Sequence, residues 1–391
     1  MGLRLRVGAG PDPFPVPSFG LLAFWLFWRH YNTIHGGCQT GTATGEAQCP
    51  EQPEVKMQEA LLYQREAGAD VLCRLCPWLC RLAPGDKGRC GVRENQQGVL
   101  YSLNYGRVAA AAVEPIERRG LYHLFPGSVV LTLGSWGENL PCGTRADATG
   151  MPPEAEAKRL LDPERAVAFA VEHRCRGVAW GYREPAVWLE YVLDCAKLAR
   201  ANGLFTLLVT KGFVGQEALD LLGPYLDGCA VEVIAASGKI YERACGRDAW
   251  EEVSSTPRYL RERWRVHIEV HTPLLPGVND DEETLRGVAS WLREELGPDT
   301  PWHIWRKEAF GQPSPSTEAL ERARALGGER GLSYVYVQTG TEESLSHTHC
   351  PSCGQLLIRR EGKYYIKISG IEEGRCIQCG REVCLRRSIF K

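Results

Sequence analysis

Between residues 128 and 337 the chain alternates short apolar runs with longer stretches in which apolar residues recur at helical spacing. "SVVLTLG" (128–134) has strand length, and "DPERAVAFAVEH" (162–173) follows with Asp162 as N-cap and Pro163 at the first helical position. "GVAWGY" (177–182) reads as the second strand, and the helix after it runs from about Pro185 to Asn202, closed by Gly203. "FTLLVT" (205–210), "CAVEVIA" (229–235), "RVHIEVHTPLL" (265–275), "PWHIWR" (301–306) and "YVYV" (334–337) supply the later strands. Helical segments fall near 215–223, up to about 263, at 281–296 and at 316–330. Six strand–helix units in succession predict an α/β fold: a parallel sheet covered by helices, curled by right-handed crossovers into a partial (β/α)6 TIM-like barrel.

In a barrel of this kind, chemistry gathers on the loops that leave the strand ends. Those ends carry the loop "LGSWGENLPCGTRADATG" (133–150), Tyr182 and Glu184, Thr210 and Lys211, Glu232, His271, and His303 with Arg306. The pattern predicts that these side chains converge on one polar rim. Glu138, Glu184, Lys211, His271, His303 and Arg306 are the candidates for chemistry there, with Glu or His as acid–base groups and Lys or Arg as anion clamps. Taken singly, each also has the plainer reading of a satisfied rim residue.

Composition adds cysteine to this picture and little else. The 46 basic and 48 acidic residues nearly balance, which offers no global attraction for nucleic acid or an anionic membrane. Of sixteen cysteines, eight form two clusters with metal-ligand spacing: Cys73, Cys76, Cys80 and Cys90, then Cys350, Cys353, Cys376 and Cys379. Most of the others are scattered singly through predicted core elements as buried thiols, a pattern that suits a reducing cytoplasm and argues against a disulfide framework. The first 56 residues are of another kind. Their apolar run "FGLLAFWLFW" (19–28) is shorter than the roughly 20 residues of a membrane span, and it reads as a weak anchor, a signal-like core or sequence ahead of a true start at Met57.

The C-terminal cluster is the sharper of the two. "CPSCG" (350–354) and "CIQCG" (376–380) are two knuckles separated by 22 residues, and "QLLIRREGKYYIKI" between them reads as a β-hairpin. Four thiolates make a closed, structural site of the zinc-ribbon or rubredoxin-like kind, for zinc or iron, whose binding energy folds a segment too short for its own core. "CRLCPWLC" with Cys90 predicts a separate four-cysteine site for zinc or an iron–sulfur cluster. The boundaries are then a non-conforming extension (1–56), an N-terminal cysteine-rich module (57–127), the barrel (128–340) and the ribbon-like module (346–391).

From Met57 to about Val383 the chain resembles the radical SAM superfamily, in the branch of the pyruvate formate-lyase activating enzymes. Within that branch it looks most like the radical SAM member of the system that also carries AmmeA-like and Memo-like domains. The resemblance rests on "CRLCPWLCRLAPGDKGRCGVREN", "YSLNYGRVAAAAVEPIE", "YHLFPGS", "YREP", "LVTKGF", "PGVND", "PWH", "GLSYVYV" and "HCPSCG", in that order. It implies a [4Fe–4S] cluster held by three cysteines of the 133–150 loop, with the fourth iron open to S-adenosylmethionine (SAM). The resemblance also marks where this chain departs. Gly137 and Asn139 keep the loop's register and Cys142 stands at the second cysteine, but Glu138 stands at the first and Arg145 at the third. Lys211 replaces an asparagine expected near the SAM ribose, and Glu232 to Ile234 replace a motif containing a lysine, whereas Glu184 matches the expected glutamate. Carboxylate is a hard ligand for the soft iron–sulfide core, and arginine offers only donors.

Cys142 is thus the remnant cluster ligand, with Gly137, Asn139 and Glu184 the remnant cofactor-binding positions. These departures predict a pseudoenzyme: conventional SAM cleavage lost, both metal modules kept, and a binding or scaffold role, or a redirected one, toward a protein partner or substrate. Two alternatives stand beside it. One is an active activating-enzyme-like protein with atypical cluster ligation. The other is a ribbon module for interactions on an inert barrel, against whose nucleic-acid form the balanced charge weighs.

Overall fold

The computed structural model describes residues 57–142, 159–306, 315–338, 343–362 and 365–386. Arg145 and the extension 1–56 therefore lie outside the described residues. The main sheet has eight strands: β1 (Ala110–Pro115), β2 (Val129–Gly134), β3 (Gly177–Trp180), β4 (Phe205–Thr210), β5 (Gly228–Glu232), β6 (His267–Leu274), β7 (Trp302–Arg306) and β8 (Val335–Gln338). Each strand lies beside its neighbour in sequence, so the order across the sheet is that of the chain. From β2 to β8 the pairing is parallel, and β1 runs antiparallel along the β2 edge. The sequence-predicted strands are the seven parallel ones. The antiparallel edge strand is an addition, drawn from a segment that the boundaries above assigned to the N-terminal module. Its "AAAVEP" carries no alternation to announce it.

The parallel strands read as apolar runs because helices cover them, leaving no face for water. The helices are α1 (Pro163–Glu172), α2 (Leu189–Ala201), α3 (Gln216–Leu222), α4 (Gly238–Cys245), α5 (Trp250–Trp264), α6 (Glu282–Trp291) and α7 (Thr317–Glu329). Local chemistry sets several of their starts. Asp162 accepts from Arg165 N at 2.7 Å, Asp281 from Thr284 N at 2.9 Å, and Ser316 from Ala319 N at 3.2 Å, each satisfying an amide left over by the first helical turn. Between β3 and α2, a short 3-10 turn at Pro185–Trp188 is capped by Glu184, whose carboxylate accepts from Ala186 N. That places an acid at the head of a helix and at the end of a strand together. None of the described helices is long and apolar enough to cross a membrane.

Two smaller units flank the sheet. Residues 58–102 form short antiparallel ladders, and Cys73, Cys76, Cys80 and Cys90 lie on these ladders and the turns between them. At the other end Leu356–Glu361 and Tyr365–Ile368 pair as the predicted hairpin of the C-terminal module. The segment 121–125 fastens that module to the sheet. Phe125 N donates to Arg386 O at 2.8 Å, Arg386 N to His123 O at 2.9 Å, and Arg360 Nη2 to Tyr122 O at 2.9 Å.

Candidate functional site: a rebuilt strand-end rim

The loop after β2 keeps its backbone geometry for steric reasons. Gly137 has φ 103°, and a Cβ there would meet Val92 and Val187 side-chain carbons at 2.7–3.0 Å. Only glycine takes that conformation readily in so narrow a place. Asn139 is buried, donates through Nδ2 to Phe213 O at 2.8 Å, and accepts at its backbone oxygen from Trp78 Nε1 at 2.6 Å. The retained Gly and Asn therefore hold the loop in place.

The replaced positions meet one another. Lys211 Nζ donates to Glu138 Oε2 at 2.6 Å and to Leu140 O at 2.9 Å. Glu138 also accepts from Leu140 N at 3.1 Å. Two departures from the family pattern, far apart in sequence, thus form one half-buried ion pair. Burial opposes the charge on Lys211, but Glu138 and then Glu232 hold its pKa above the ordinary lysine value. Beneath the pair, Glu184 accepts from Thr210 Oγ1 at 2.6 Å, Lys211 N at 2.9 Å and Ala186 N at 3.0 Å. Burial, and after it the nearby Glu138 charge, raise the Glu184 carboxyl to about 7 in spite of those donors.

Cys142, buried at the end of the same loop, is bonded to Cys245 at the end of α4. Most of the cysteines outside the two clusters are expected as buried thiols; Cys175, Cys195 and Cys229 are buried and free, and Cys142 and Cys245 are the exception. The sequence gives no cue to the partnership, since Cys245 carries no motif spacing. Even opened, the pair leaves the loop with one described thiolate where three are needed. With Glu138 held by a lysine and Arg145 unable to ligate, this donor set does not fit a three-cysteine cluster.

The rim does not gather every predicted member. Glu138, Glu184 and Lys211 come together, whereas His271 and His303 belong to a second group around Glu269. His271 Nε2 lies 2.8 Å from Gly120 O, and His303 Nε2 lies 2.7 Å from Glu269 Oε2. Glu269 also accepts from Tyr122 N, His123 N and His267 Nε2. Burial alone would raise its carboxyl, but the hydrogen bonds from His267 and His303 hold it well below the ordinary range. Burial likewise lowers His271 to about 4, so it is neutral at pH 7. Arg306 stands apart, donating to Thr317 Oγ1 at 3.3 Å.

Both cysteine modules have a definite place. The ligand atoms of Cys350, Cys353, Cys376 and Cys379 all lie within 4.8 Å of one another, so these four could hold one metal ion. The N-terminal module, although ahead of the first strand in sequence, packs on the rim loop. Glu138 N donates to Cys90 O at 3.3 Å, and Gly215 N, on the loop after β4, to Leu75 O at 2.9 Å.

The Radical SAM superfamily profile matches residues 141–287. A Methanocaldococcus jannaschii protein named "Uncharacterized protein MJ0808" is 34% identical over 336 residues, covering 84% of this chain and 99% of that one. The choline trimethylamine-lyase activating enzyme of Oleidesulfovibrio alaskensis is 25% identical over 281 residues, covering 65% of this chain and 87% of that one. Among solved structures, a radical SAM methyltransferase from Sphaerobacter thermophilus aligns with a TM-score of 0.45 at 18% identity, covering 59% of this chain and 71% of that one. The chain belongs to the radical SAM superfamily. Membership implies SAM and an iron–sulfur cluster as the family's cofactors.

Two outcomes test the rim. Lys211→Met leaves the Glu138 carboxylate half-buried and unpaired, and should lower stability by about 2 kcal/mol in denaturant titrations, most of which Glu138→Gln added to it should recover. Glu184 gives a pH signature. Its folded pKa of about 7 lies above the ordinary 4.5, so the stability its neutral form contributes is complete below 4.5 and is lost as pH rises through 7. Relative to wild type, Glu184→Gln should therefore gain about 2 kcal/mol between roughly pH 5 and pH 8.

Proposed function

We propose that this protein is a radical SAM superfamily member whose strand-end site has been rebuilt, so that conventional cluster-dependent cleavage of SAM is lost. It acts as a binding partner or scaffold for another protein, with metal modules holding its two ends. The observation that carries this reading is the Glu138–Lys211 ion pair. A single substitution at a cluster position reads as damage. Two that meet at 2.6 Å, with a hydrogen-bonded acid beneath them, form a satisfied polar site.

In this reading the C-terminal four cysteines hold zinc. Pairs of their sulfurs stand 3.5 and 3.6 Å apart, close to the roughly 3.8 Å edge of a tetrahedron with 2.3 Å zinc–sulfur bonds. Cys73, Cys76, Cys80 and Cys90 hold the second metal group. The rim residues present hydrogen bonds in place of net charge: Glu184 holds a proton near neutrality, and Glu138 neutralises Lys211. A second reading, an activating-enzyme-like protein with atypical ligation, draws support from the likeness to the choline trimethylamine-lyase activating enzyme.

One measurement separates the two. After anaerobic reconstitution, the wild-type protein should show no reduced-cluster paramagnetic signal that shifts on adding SAM. The combined changes Glu138→Cys, Arg145→Cys, Lys211→Asn and Cys245→Ser should create one. A SAM-shifted signal in wild type that vanishes in Cys142→Ala would establish the second reading and end the first.

A further inference from the structure

At the end of the sheet opposite the rim, a cavity of about 430 Å³ opens where three parts of the molecule meet. Its wall takes His267 and Ile268 from the start of β6 and the segment 296–301 ahead of β7. Arg261 and Arg265 come from the last turn of α5 and its cap, and Arg386 comes from the C-terminal module. The volume lies in the range of small-molecule sites.

The charge of this wall is one-sided. Arg261 Nη1 donates to Thr300 Oγ1 at 3.0 Å and to Leu296 O. Arg386 Nη1 donates to Asp227 O and Arg265 O, each at 3.2 Å. These acceptors are neutral, so they orient the guanidiniums without cancelling their charge. The exposed Arg265 side chain has no hydrogen-bond or ion-pair partner among the described residues. The wall has a single acid, Asp299, and that acid is committed to Arg381 Nη2 at 3.1 Å. His267 is held by Glu269 at 3.0 Å, and the nearby Asp227 carboxylate by Arg200 at 3.3 Å and Thr206 N at 3.0 Å.

Elsewhere, buried and half-buried arginines of this chain meet carboxylates: Arg93 meets Glu190, Arg119 meets Glu114, and Arg247 meets Glu252. Three at one cavity without such a partner leave positive charge for an anion to complete. Arg261 and Arg386 each commit one Nη to the fold, and their other side-chain nitrogens have no partner among the described residues. The planar fork of a guanidinium matches the oxygens of a phosphate. The cavity also exceeds what a bare phosphate fills, and Val266, Ile268 and Pro298 give it an apolar wall.

We propose that this cavity binds a small organic phosphate, with Arg261, Arg265 and Arg386 on the phosphate and the apolar wall against the rest of the molecule. The site is separate from the rim and from both cysteine clusters, so it stands whichever reading of the rim holds. Its ligand bridges α5 and the C-terminal module. Occupancy therefore strengthens the docking that the backbone bonds between Arg386, His123 and Phe125 begin.

The test is calorimetric titration of the full chain at low ionic strength, with adenosine monophosphate, inorganic phosphate and adenosine as probes. Adenosine monophosphate should bind more tightly than inorganic phosphate, and adenosine should not bind. Arg265→Gln removes a side chain with no internal partner, so the variant should fold and bind roughly tenfold more weakly, as the loss of one charged hydrogen bond predicts. Arg386→Gln should weaken binding to a similar degree. Affinity should persist when Lys211→Met and Glu138→Gln are combined, which separates this site from the rim. Saturating adenosine monophosphate should also slow hydrogen exchange at the Arg386 and Phe125 amides, whose bonds dock the module. A wild type that does not bind adenosine monophosphate, or binds adenosine or inorganic phosphate equally well, overturns the proposal. So does affinity untouched by Arg265→Gln, or abolished by the two rim changes.

Discussion

What the open end of this sheet can hold is decided by a 2.6 Å ion pair. Glu138 and Lys211 arrive from the ends of β2 and β4, and the pair between them ties the loop after β2 to the end of β4. A half-buried lysine needs a counter-charge, and a half-buried carboxylate needs a donor. Each residue makes the other tolerable, and the Leu140 backbone serves both. Glu184, Thr210 and the Lys211 amide then follow as the layer below, joined through one carboxyl.

A second buried acid fixes the opposite part of the molecule. Glu269 on β6 receives two strap amides, Tyr122 N and His123 N, besides two histidines. The strap in turn holds the C-terminal module: His123 Nδ1 lies 2.6 Å from Cys384 O, and Arg360 stacks over Tyr122 at 4.3 Å. A small four-cysteine module is thereby anchored to the sheet by backbone hydrogen bonds and one arginine. Of the strand-end histidines, His303 hydrogen-bonds Glu269, and His271 lies against Gly120 O just ahead of the strap.

The parallel strands and their helices were legible because burial on both faces leaves apolar runs, and because Asp162, Pro163 and Ser316 mark helix starts in a local code. The edge strand Ala110–Pro115 was not, since alanines satisfy neither template. At the site, the departures at Glu138 and Lys211 were visible one by one, but their meeting was not, because 73 residues separate them and strand order alone brings them together. The same holds for Cys142 and Cys245, 103 residues apart. Arg93 stood inside a quoted motif, "GVREN", yet nothing in spacing says that its guanidinium will be buried against Glu190. Spacing names candidate ligands, and only the fold reports which groups meet.

The coupling of the two rim departures bears on how such a site changes. Placing cysteine at 138 while Lys211 remains would strand a buried ammonium beside Glu232 and Glu184, with its nearest counter-charge removed. Placing asparagine at 211 while Glu138 remains would strand a carboxylate whose charge already helps push Glu184 up to about 7. The first change leaves Lys211 with the weaker pull of Glu232 and Glu184, and the second leaves Glu138 with the Leu140 amide, so either change alone weakens the charge balance of the rim. The N-terminal module lies just across Asn139 from this pair: Trp78 Nε1 donates to Asn139 O, and Glu138 N to Cys90 O. Rim and cysteine module therefore touch through backbone groups, while the charges of Glu138 and Lys211 are met within the rim itself.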